Sequence, residues 1–315
     1  MKHLDQASIF VSIAAYRDPQ LPTTVRSLLE NADHPERIFI GIFNQVHLQK
    51  DKDCLVHNHP QVLQHILDYT EAQGACWARG YVWNKLLGDQ DFALQIDSHS
   101  RFAEGWDTTV LNMYAKLKDE NAIITHYPMG LDTEKNSLDP QMYTYFNVQS
   151  FRNTQLPDVT SGAIDLRHAP ETCSKTAFVA AGCMFGASRI FKQVPYDPYI
   201  YFHGEEITYA ARLWTHGYNL YLPNQPFMWH DYKNLNKRPL HWQDHKEWRL
   251  KDMLAQQRCR HLMRIKAVDD PRALQYLEHY GMGFERSLDE YQSFSGIHFR
   301  RQLLTERARS GKQYG

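Results

Sequence analysis

The chain has 315 residues, 43% of them apolar and 23% charged, with a formal net charge of −1, as in a globular protein with a sizeable core. No apolar run approaches the ~18 residues that a membrane-spanning helix needs, and the first residues, "MKHLDQASIF", lack the apolar core of a signal peptide. We therefore expect an unprocessed cytoplasmic protein of one or two domains, without a nucleic-acid partner.

Strand and helix patterns alternate from residue 8 to residue 127. Apolar runs predict strands over residues 8–14, 37–43, 91–97 and 122–127. Amphipathic periodicity predicts helices over residues 22–32, around 78–87 and over 106–120, and a further amphipathic segment covers residues 62–72. This alternation predicts an α/β fold with a Rossmann-like, mostly parallel sheet that is flanked by helices on both faces.

The periodicity is lost between about residues 128 and 175, which are rich in Pro, Asn and aromatic residues. So long an irregular stretch is predicted to be either functional or mobile. Regular signals resume over residues 177–191, 205–217 and 219–223, where the second segment is a predicted helix that ends at Gly217. A long helical pattern over residues 241–268 then predicts a helical C-terminal extension.

Charge is distributed unevenly between two parts of the chain. Residues 1–235 contain 19 Lys and Arg against 26 Asp and Glu, whereas residues 236–315 contain 16 against 10. We therefore predict a domain over residues 1–235 and a basic, mainly helical region over residues 236–315. The basic region is either a solvated helix face or a peripheral contact with the anionic inner face of a membrane.

The five cysteines give no sign of a disulfide framework. They are odd in number, widely spaced and contain no C-x-x-C pair, which also argues against a structural zinc site. Free thiols agree with a reducing, cytoplasmic location.

Polar residues follow the strand predicted over residues 91–97. Asp97 and His99 are two residues apart in an extended segment and so point the same way, where they could bind one divalent ion through oxygen and nitrogen. The alternative is an Asx turn with a surface histidine. A metal site needs a third ligand, and His230 and Asp231 follow a second apolar segment; alone, His230 would be a capped core histidine. Such mixed ligands suit Mn²⁺ or Mg²⁺ held together with substrate phosphates.

Glu205 and Glu206 precede the helix predicted over residues 205–217. They are either acids favoured by the helix dipole or carboxylates of a pocket.

The loop after the first strand is expected to approach the base and ribose of a nucleotide, which makes Ala14, Tyr16 and Arg17 candidate binding residues. Arg79 could neutralise a diphosphate or close on the base. Neither GxGxxG nor GxxxxGK[ST] occurs, so a dinucleotide site and a P-loop are not supported.

Four sequence blocks, in order, resemble a known enzyme family. They begin at "IFVSIAAYRDPQ", "CWARGYVWNKLL", "AAGCMFGASRIF" and "ERSLDEYQSFSG". Together they span residues 8–299 and are similar to the GlcNAc-transferase family typified by the Skp1 hydroxyproline N-acetylglucosaminyltransferase. The resemblance implies a GT-A glycosyltransferase fold, a UDP-sugar donor (UDP-GlcNAc in the founding members), a divalent metal and retention of anomeric configuration.

The same resemblance implies roles for individual residues. "DSH" corresponds to the D-x-D motif in its D-x-H form, which mucin-type polypeptide GalNAc-transferases also use. Asp97 and His99 would then approach the metal, His230 would be the C-terminal ligand, and Ser98 would touch the ribose.

Retention allows two mechanisms, which the sequence leaves open. Glu205 or Glu206 would be the nucleophile of a covalent route, or would hold donor hydroxyls or the acceptor in a front-face route. The acceptor is expected to be a capsular or lipid-linked saccharide or a protein hydroxyl. Two other functions remain open: a metal-dependent phosphoesterase, and a non-catalytic sugar-binding protein with a decayed site.

Overall fold

A computed structural model describes residues 6–131, 139–234, 237–311 and 314 of the chain. The strands are β1 Ile9–Tyr16, β2 Ile38–Val46, β3 Val62–Asp68, β4 Phe92–Asp97, β5 Ser100–Phe102, β6 Ala122–Thr125, β7 Met129–Gly130, β8 Met142–Phe151, β9 Pro157–Asp165, β10 Ser174–Thr176, β11 Cys183–Ala187, β12 Asn219–Leu222, β13 Met228–His230, β14 Ile297–His298 and β15 Leu303–Leu304. The helices are α1 Leu21–Glu30, α2 Ala75–Lys85, α3 Trp106–Leu117, α4 Ser188–Gln193, α5 Glu205–Thr215, α6 His241–Asp244, α7 Trp248–Leu262, α8 Leu277–Tyr280, α9 Leu288–Ser295 and α10 Glu306–Ser310.

An eight-stranded sheet with the order β10-β12-β6-β11-β4-β1-β2-β3 forms the centre of the fold. β1 pairs in parallel with β2 and β4, β2 with β3, and β12 with β6, whereas β11 runs antiparallel to β4 and β6. The predicted α/β fold with a mostly parallel sheet is therefore confirmed. A smaller sheet, β5-β13-β7, lies beyond the carboxyl end of β4.

Helices cover both faces of the large sheet because successive side chains of a strand point to opposite faces. On one face, Val11 and Ile13 of β1 share a buried cluster with Val25 of α1 and Val110 of α3. On the other face, Phe10 belongs to a second cluster that includes residues of α2, α4 and α5. Within the described residues, no helix is long and apolar enough to cross a bilayer.

The second buried cluster also contains residues from the basic C-terminal region. Cys259 lies in α7 and Met263 directly follows that helix. Tyr291 of α9 belongs to the same cluster and donates its hydroxyl to the Ala177 carbonyl at 2.6 Å. The Arg258 side chain is fully buried and pairs with Asp197 at 2.6 Å. The boundary predicted between residues 235 and 236 stays a prediction, and both of those residues lie outside the described part.

Two predictions of local structure are wrong. The stretch from residue 128 to 175, predicted to be irregular, contains the antiparallel hairpin of β8 and β9; its residues 132–138 lie outside the described part. Only one of the nine residues of β9 is buried, and the strand contains Ser, Gly and Asp, so its sequence resembles a loop. The helical pattern over residues 241–268 is broken between α6 and α7, where the His245 ring lies 3.0 Å from the Tyr69 carbonyl oxygen.

The segment over residues 62–72 is the strand β3 followed by a short 3-10 turn. The remaining predicted elements are confirmed, with shifts of a few residues at their ends, and Gly217 follows α5 with the positive φ of 92° expected after a helix. All five cysteines are free and buried.

Candidate functional site

The carboxyl ends of β1 and β4 open into a cavity of about 440 Å³. The two strands are neighbours in parallel register, so Ala14 lies opposite Asp97 at this edge of the sheet. Loops and helix N-termini converge at the carboxyl edge of such sheets, which is why ligands bind there. The cavity is therefore the candidate functional site.

Asp97, His99 and His230 meet at this cavity although they are far apart in the sequence. Asp97 ends β4 and His99 follows it, whereas His230 ends β13, which pairs antiparallel with β5 so that His230 lies opposite Ser100. One ligand atom from each residue lies within 4.8 Å of those of the other two. The His230 Nε2 and Asp97 Oδ2 atoms are 3.1 Å apart, and the His99 and His230 ring centroids are 4.4 Å apart.

The chemistry of this cluster fits a divalent cation. The His230 Nδ1 atom is buried without a hydrogen-bond partner among the described residues. Burial lowers the pKa of His99, which keeps that imidazole neutral and able to donate a lone pair. A Cβ atom at Gly182 would lie 2.9 Å from Asp97 Oδ2, so this residue leaves the space beside the carboxylate free.

Asp18 and Arg238 surround His99. Asp18 Oδ2 lies 2.8 Å from His99 Nδ1 and accepts a hydrogen bond from the Ser98 hydroxyl at 2.6 Å. A carboxylate beside Nδ1 favours a proton on that nitrogen and leaves the Nε2 lone pair available. Arg238 lies 3.0 Å from Nε2 and also donates to Asp18, so a metal bound at Nε2 requires this guanidinium to move.

Arg79 links Asp97 to Glu205. Its Nη2 atom donates to Asp97 Oδ1 at 2.7 Å, and its Nη1 atom donates to Glu205, which also accepts a hydrogen bond from the Tyr196 hydroxyl. Burial alone would raise the pKa of Asp97, but the contact with His230 and the charge of Arg79 hold that pKa well below its usual range. Asp97 is therefore ionised, as a metal ligand must be.

Glu206 lies beside this network in a different environment. Its carboxylate accepts hydrogen bonds from the Tyr127 hydroxyl and from the backbone N–H of Ala181 at 2.8 Å. Burial raises the pKa of Glu206 to about 7. Glu206 is more exposed to the cavity than Glu205, which is only 4% exposed.

Tyr16 and Arg17 are held by the short helix α6. The Tyr16 hydroxyl donates to Asp244 at 2.7 Å, and Arg17 pairs with Asp244 at 3.0 Å and with Asp51 at 2.7 Å. Tyr16 lines the cavity, whereas Arg17 is not among the lining residues.

The structure thus brings most of the residues named from the sequence to one cavity. The lining includes Ala14, Tyr16, Arg79, Asp97, Ser98, His99, Glu205, Glu206 and His230. Asp231 is buried outside the lining and donates its N–H to the His99 carbonyl.

Sequence reasoning missed four residues that shape the site: Asp18, Tyr127, Tyr196 and Arg238. Asp18 could have been found, because it is an acid just past the carboxyl end of a predicted strand. Arg238 carries no such signal, since it follows an irregular segment.

Comparisons with known proteins agree with this arrangement. The sequence matches the family described as glycosyltransferase (GlcNAc) over residues 8–62 and 56–301. No curated protein matches it.

Solved structures resemble this chain at low sequence identity, and GalNAc-T7 shares its fold. The chain of GalNAc-T7, solved with UDP, GalNAc and Mn²⁺, is 14% identical, and the match has a TM-score of 0.57 and covers 92% of this chain and 57% of that chain. Residues 1–349 of S. aureus TarS, solved with UDP-GlcNAc, are 11% identical, with a TM-score of 0.48 and coverage of 87% and 71%. This chain therefore spans little more than half of the GalNAc-T7 chain.

Proposed function

Because this chain belongs to the glycosyltransferase (GlcNAc) family and has the GT-A fold predicted from its sequence, we propose that it transfers GlcNAc from UDP-GlcNAc to a hydroxyl acceptor. We propose further that the transfer depends on Mn²⁺ or Mg²⁺ and retains the anomeric configuration. The observation that carries the proposal is the cluster of Asp97, His99 and His230 in a cavity that also holds Glu205 and Glu206. The GalNAc-T7 structure, which contains UDP, GalNAc and Mn²⁺, supports a UDP-linked donor and the metal, whereas the choice of GlcNAc rests on the family match.

Asp97, His99 and His230 would hold the divalent ion. When bound, such an ion supplies positive charge that stabilises the departing diphosphate more in the transition state than in the ground state. Arg238 would add charge on the same side once it leaves His99. Asp18 would keep the ring of His99 oriented, because it is hydrogen-bonded to Nδ1.

The nucleotide would lie along the ends of β1 and β4. Ala14 and Tyr16 would face the base, and Ser98 would approach the ribose, since all three line the cavity. Arg79 would act on the donor through Asp97, which it holds ionised. Arg17 would support Tyr16 and α6 through Asp244 instead of reaching the diphosphate.

Glu206 is the better candidate for direct contact with the donor sugar or the acceptor hydroxyl. The Glu205 carboxylate is held inside the protein by its two hydrogen-bonding partners, Arg79 and Tyr196. Glu206 is more exposed, and its pKa of about 7 suits a group that exchanges a proton near neutral pH. This assignment holds for a covalent route and for a front-face route alike.

Membership of a transferase family favours transfer over the two other functions considered from the sequence. A phosphoesterase with two metals would need further ligands, and among the described residues a single group of three fits a metal ion. In a non-catalytic sugar-binding protein with a decayed site, a carboxylate and two imidazoles within ligand distance of one another would have no function.

Release of UDP tests the proposal. The protein is incubated with Mn²⁺ and each of UDP-GlcNAc, UDP-GalNAc, UDP-glucose and UDP-galactose, with and without EDTA. We expect release of UDP from UDP-GlcNAc above all, with water accepting the sugar because no other acceptor is added, and we expect this release to be abolished by EDTA and restored by excess Mn²⁺. UDP release at the same rate with and without EDTA would contradict the proposed dependence on a metal ion. Release of phosphate from simple phosphate esters, without turnover of any UDP-sugar, would favour the phosphoesterase.

Contact with an anionic membrane through residues 236–315 is a separate proposal. Arg300, Arg301 and Arg309 are exposed, although Arg258 is buried and has a structural partner. Each exposed cation near an anionic surface contributes about 1 kcal/mol. Salt-sensitive binding to phosphatidylserine vesicles tests the contact, and absence of binding at low salt would reject it.

A further inference from the structure

The cavity lining includes two exposed aromatic side chains to which the proposed donor site gives no role. They are Phe202 and Trp242, their ring centroids are 5.9 Å apart, and they are 42% and 39% exposed. Large apolar side chains grouped at the mouth of a polar cavity commonly mark a ligand-binding surface. These two rings are called the aromatic platform below.

Both rings are held close to the predicted reaction centre. Phe202 lies three residues before Glu205, at the start of α5. Trp242 belongs to α6, which is anchored by the hydrogen bond from Tyr16 to Asp244 and by the contact of 2.6 Å between the Tyr201 hydroxyl and His241 Nδ1. The platform is therefore fixed on the same elements that carry the catalytic and nucleotide-binding candidates.

Three polar residues of the cavity lining, Arg152, Thr154 and His203, suit neutral hydroxyls and not a charged group. The Thr154 hydroxyl lines the cavity and is buried without a hydrogen-bond partner among the described residues. Arg152 already pairs with Asp158 at 2.6 Å and lies 3.2 Å from His203 Nδ1. Burial lowers the pKa of His203, so that its ring is neutral at pH 7.

We propose that the aromatic platform, together with the Thr154 hydroxyl, binds a neutral saccharide as the acceptor. The C–H face of a pyranose ring is apolar and packs against an aromatic ring, while its hydroxyls need hydrogen-bonding partners. The paired Arg152 offers no free cation to an anionic sugar. This inference rests on the proposed function, because it identifies the acceptor class of the same cavity.

Saturation-transfer NMR tests the inference without any turnover. The probes are the methyl glycosides of glucose, galactose, GlcNAc and GalNAc, added to the full chain with UDP and Mg²⁺, which is diamagnetic. The variants are Trp242→Ala, Phe202→Ala and the conservative Trp242→Phe. Met253→Ala, which removes a side chain 44% exposed on α7 and outside the cavity lining, is the matched control.

We expect at least one glycoside to bind the wild-type protein and to bind each alanine variant about tenfold more weakly. Trp242→Phe should retain most of the affinity, and Met253→Ala should retain all of it. Thermal unfolding of each variant separates lost binding from lost folding.

Two results would overturn the inference: glycoside binding that survives both alanine substitutions, or no binding of any of the four glycosides to the wild-type protein. In the second case, a serine-, threonine- or hydroxyproline-containing peptide that accepts the sugar would identify a protein acceptor instead. Failure of UDP-sugar turnover in the wild type would instead reject the proposed function. The two failures are distinguishable because glycoside binding is measured without donor chemistry.

Discussion

The two carboxylate oxygens of Asp97 contact different partners, the Arg79 guanidinium and the His230 imidazole. Arg79 lies 2.7 Å from one oxygen and His230 lies 3.1 Å from the other, while the same guanidinium also pairs with Glu205. One buried arginine, Arg79, thus compensates the negative charges of both Asp97 and Glu205. Removing one partner of a buried ion pair leaves charge without compensation, which is costly in a medium of low dielectric constant.

We predict that Arg79→Gln lowers the free energy of unfolding by about 3–5 kcal/mol, measured by urea denaturation at pH 7. Arg272→Gln is the control, because Arg272 pairs with Asp270 at the surface and its side chain is 58% exposed. That control should leave the unfolding midpoint unchanged within error. A midpoint for Arg79→Gln equal to that of the control would contradict the importance of the network.

Glu206 predicts a dependence of stability on pH. Its pKa of about 7 in the folded protein lies above the ordinary 4.5, because the carboxyl is buried. Between these two values the unfolded chain has lost this proton while the folded protein still binds it. This group's contribution to the free energy of unfolding is therefore complete below pH 4.5 and declines by up to about 1.4 kcal/mol per pH unit as the pH rises to 7.

Glu206→Gln removes this titration. We expect the stability of the variant relative to wild type to increase as the pH rises from 4.5 to 7.5, measured by denaturation at several pH values. Glu104→Gln, at an exposed glutamate, is the control and should follow the wild type throughout. A constant difference between Glu206→Gln and wild type would show that the Glu206 pKa is not raised.

The residues of the site differ in how far sequence could predict them. Asp97 and His99 were predictable because they follow an apolar strand, and His230 because it ends another apolar segment. The contact of Arg238 with His99 arises from the folding of a distant loop, for which no local pattern exists, whereas Asp18 lies just past a predicted strand and could have been found. Arg17 was expected to bind a nucleotide because it follows β1. Its position in the sequence does not reveal that its side chain pairs with two carboxylates, Asp51 and Asp244.

At the scale of elements, Gly204 determines how α5 enters the site. It has a φ of 91°, and a Cβ atom at this position would lie 2.4 Å from Cys259 Sγ and 2.9 Å from Leu156 Cδ1. The next two residues are Glu205 and Glu206. A side chain here would strain the backbone and displace the first turn of α5.

We predict that Gly204→Ala lowers the free energy of unfolding by at least about 1–3 kcal/mol and reduces UDP release. Gly80→Ala in α2 is the matched control, because its Cβ atom would lie at an ordinary 3.6 Å from the nearest atom, the Tyr196 carbonyl oxygen. That control should stabilise the protein by up to about 1 kcal/mol. Equal effects of the two substitutions in urea denaturation would contradict this account of α5.

The periodic elements were predictable, whereas the hairpin of β8 and β9 was not. β1, β4 and α3 each have one strong apolar pattern because they pack against the large sheet or form part of it. Buried positions in β8 do not alternate regularly, and Gly162 of β9 lies opposite Tyr145. Such strands are stabilised by cross-strand pairing, which a single sequence does not display.

At the scale of the whole molecule, the basic C-terminal region contributes to the main core. Cys259, Met263 and Tyr291 belong to the same buried cluster as α2 and α5. We therefore predict that a chain truncated after residue 235 does not unfold cooperatively, because the truncation exposes this cluster and leaves Asp197 without Arg258. Calorimetry checks this prediction. A cooperative transition in the truncated chain would instead support an independent domain over residues 1–235.

The central claim is that Asp97, His99 and His230 hold a divalent cation, and Mn²⁺ titration followed by electron paramagnetic resonance tests it most directly. In the presence of UDP we predict one Mn²⁺ bound per wild-type chain. Asp97→Asn and His230→Ala should each lower the affinity for Mn²⁺ by at least ~10–100-fold, which is the loss commonly seen when a residue that supports a metal ligand is substituted. Asp89→Asn, at a fully exposed carboxylate, should bind as the wild type does. Equal Mn²⁺ affinity in all four proteins would contradict the claim.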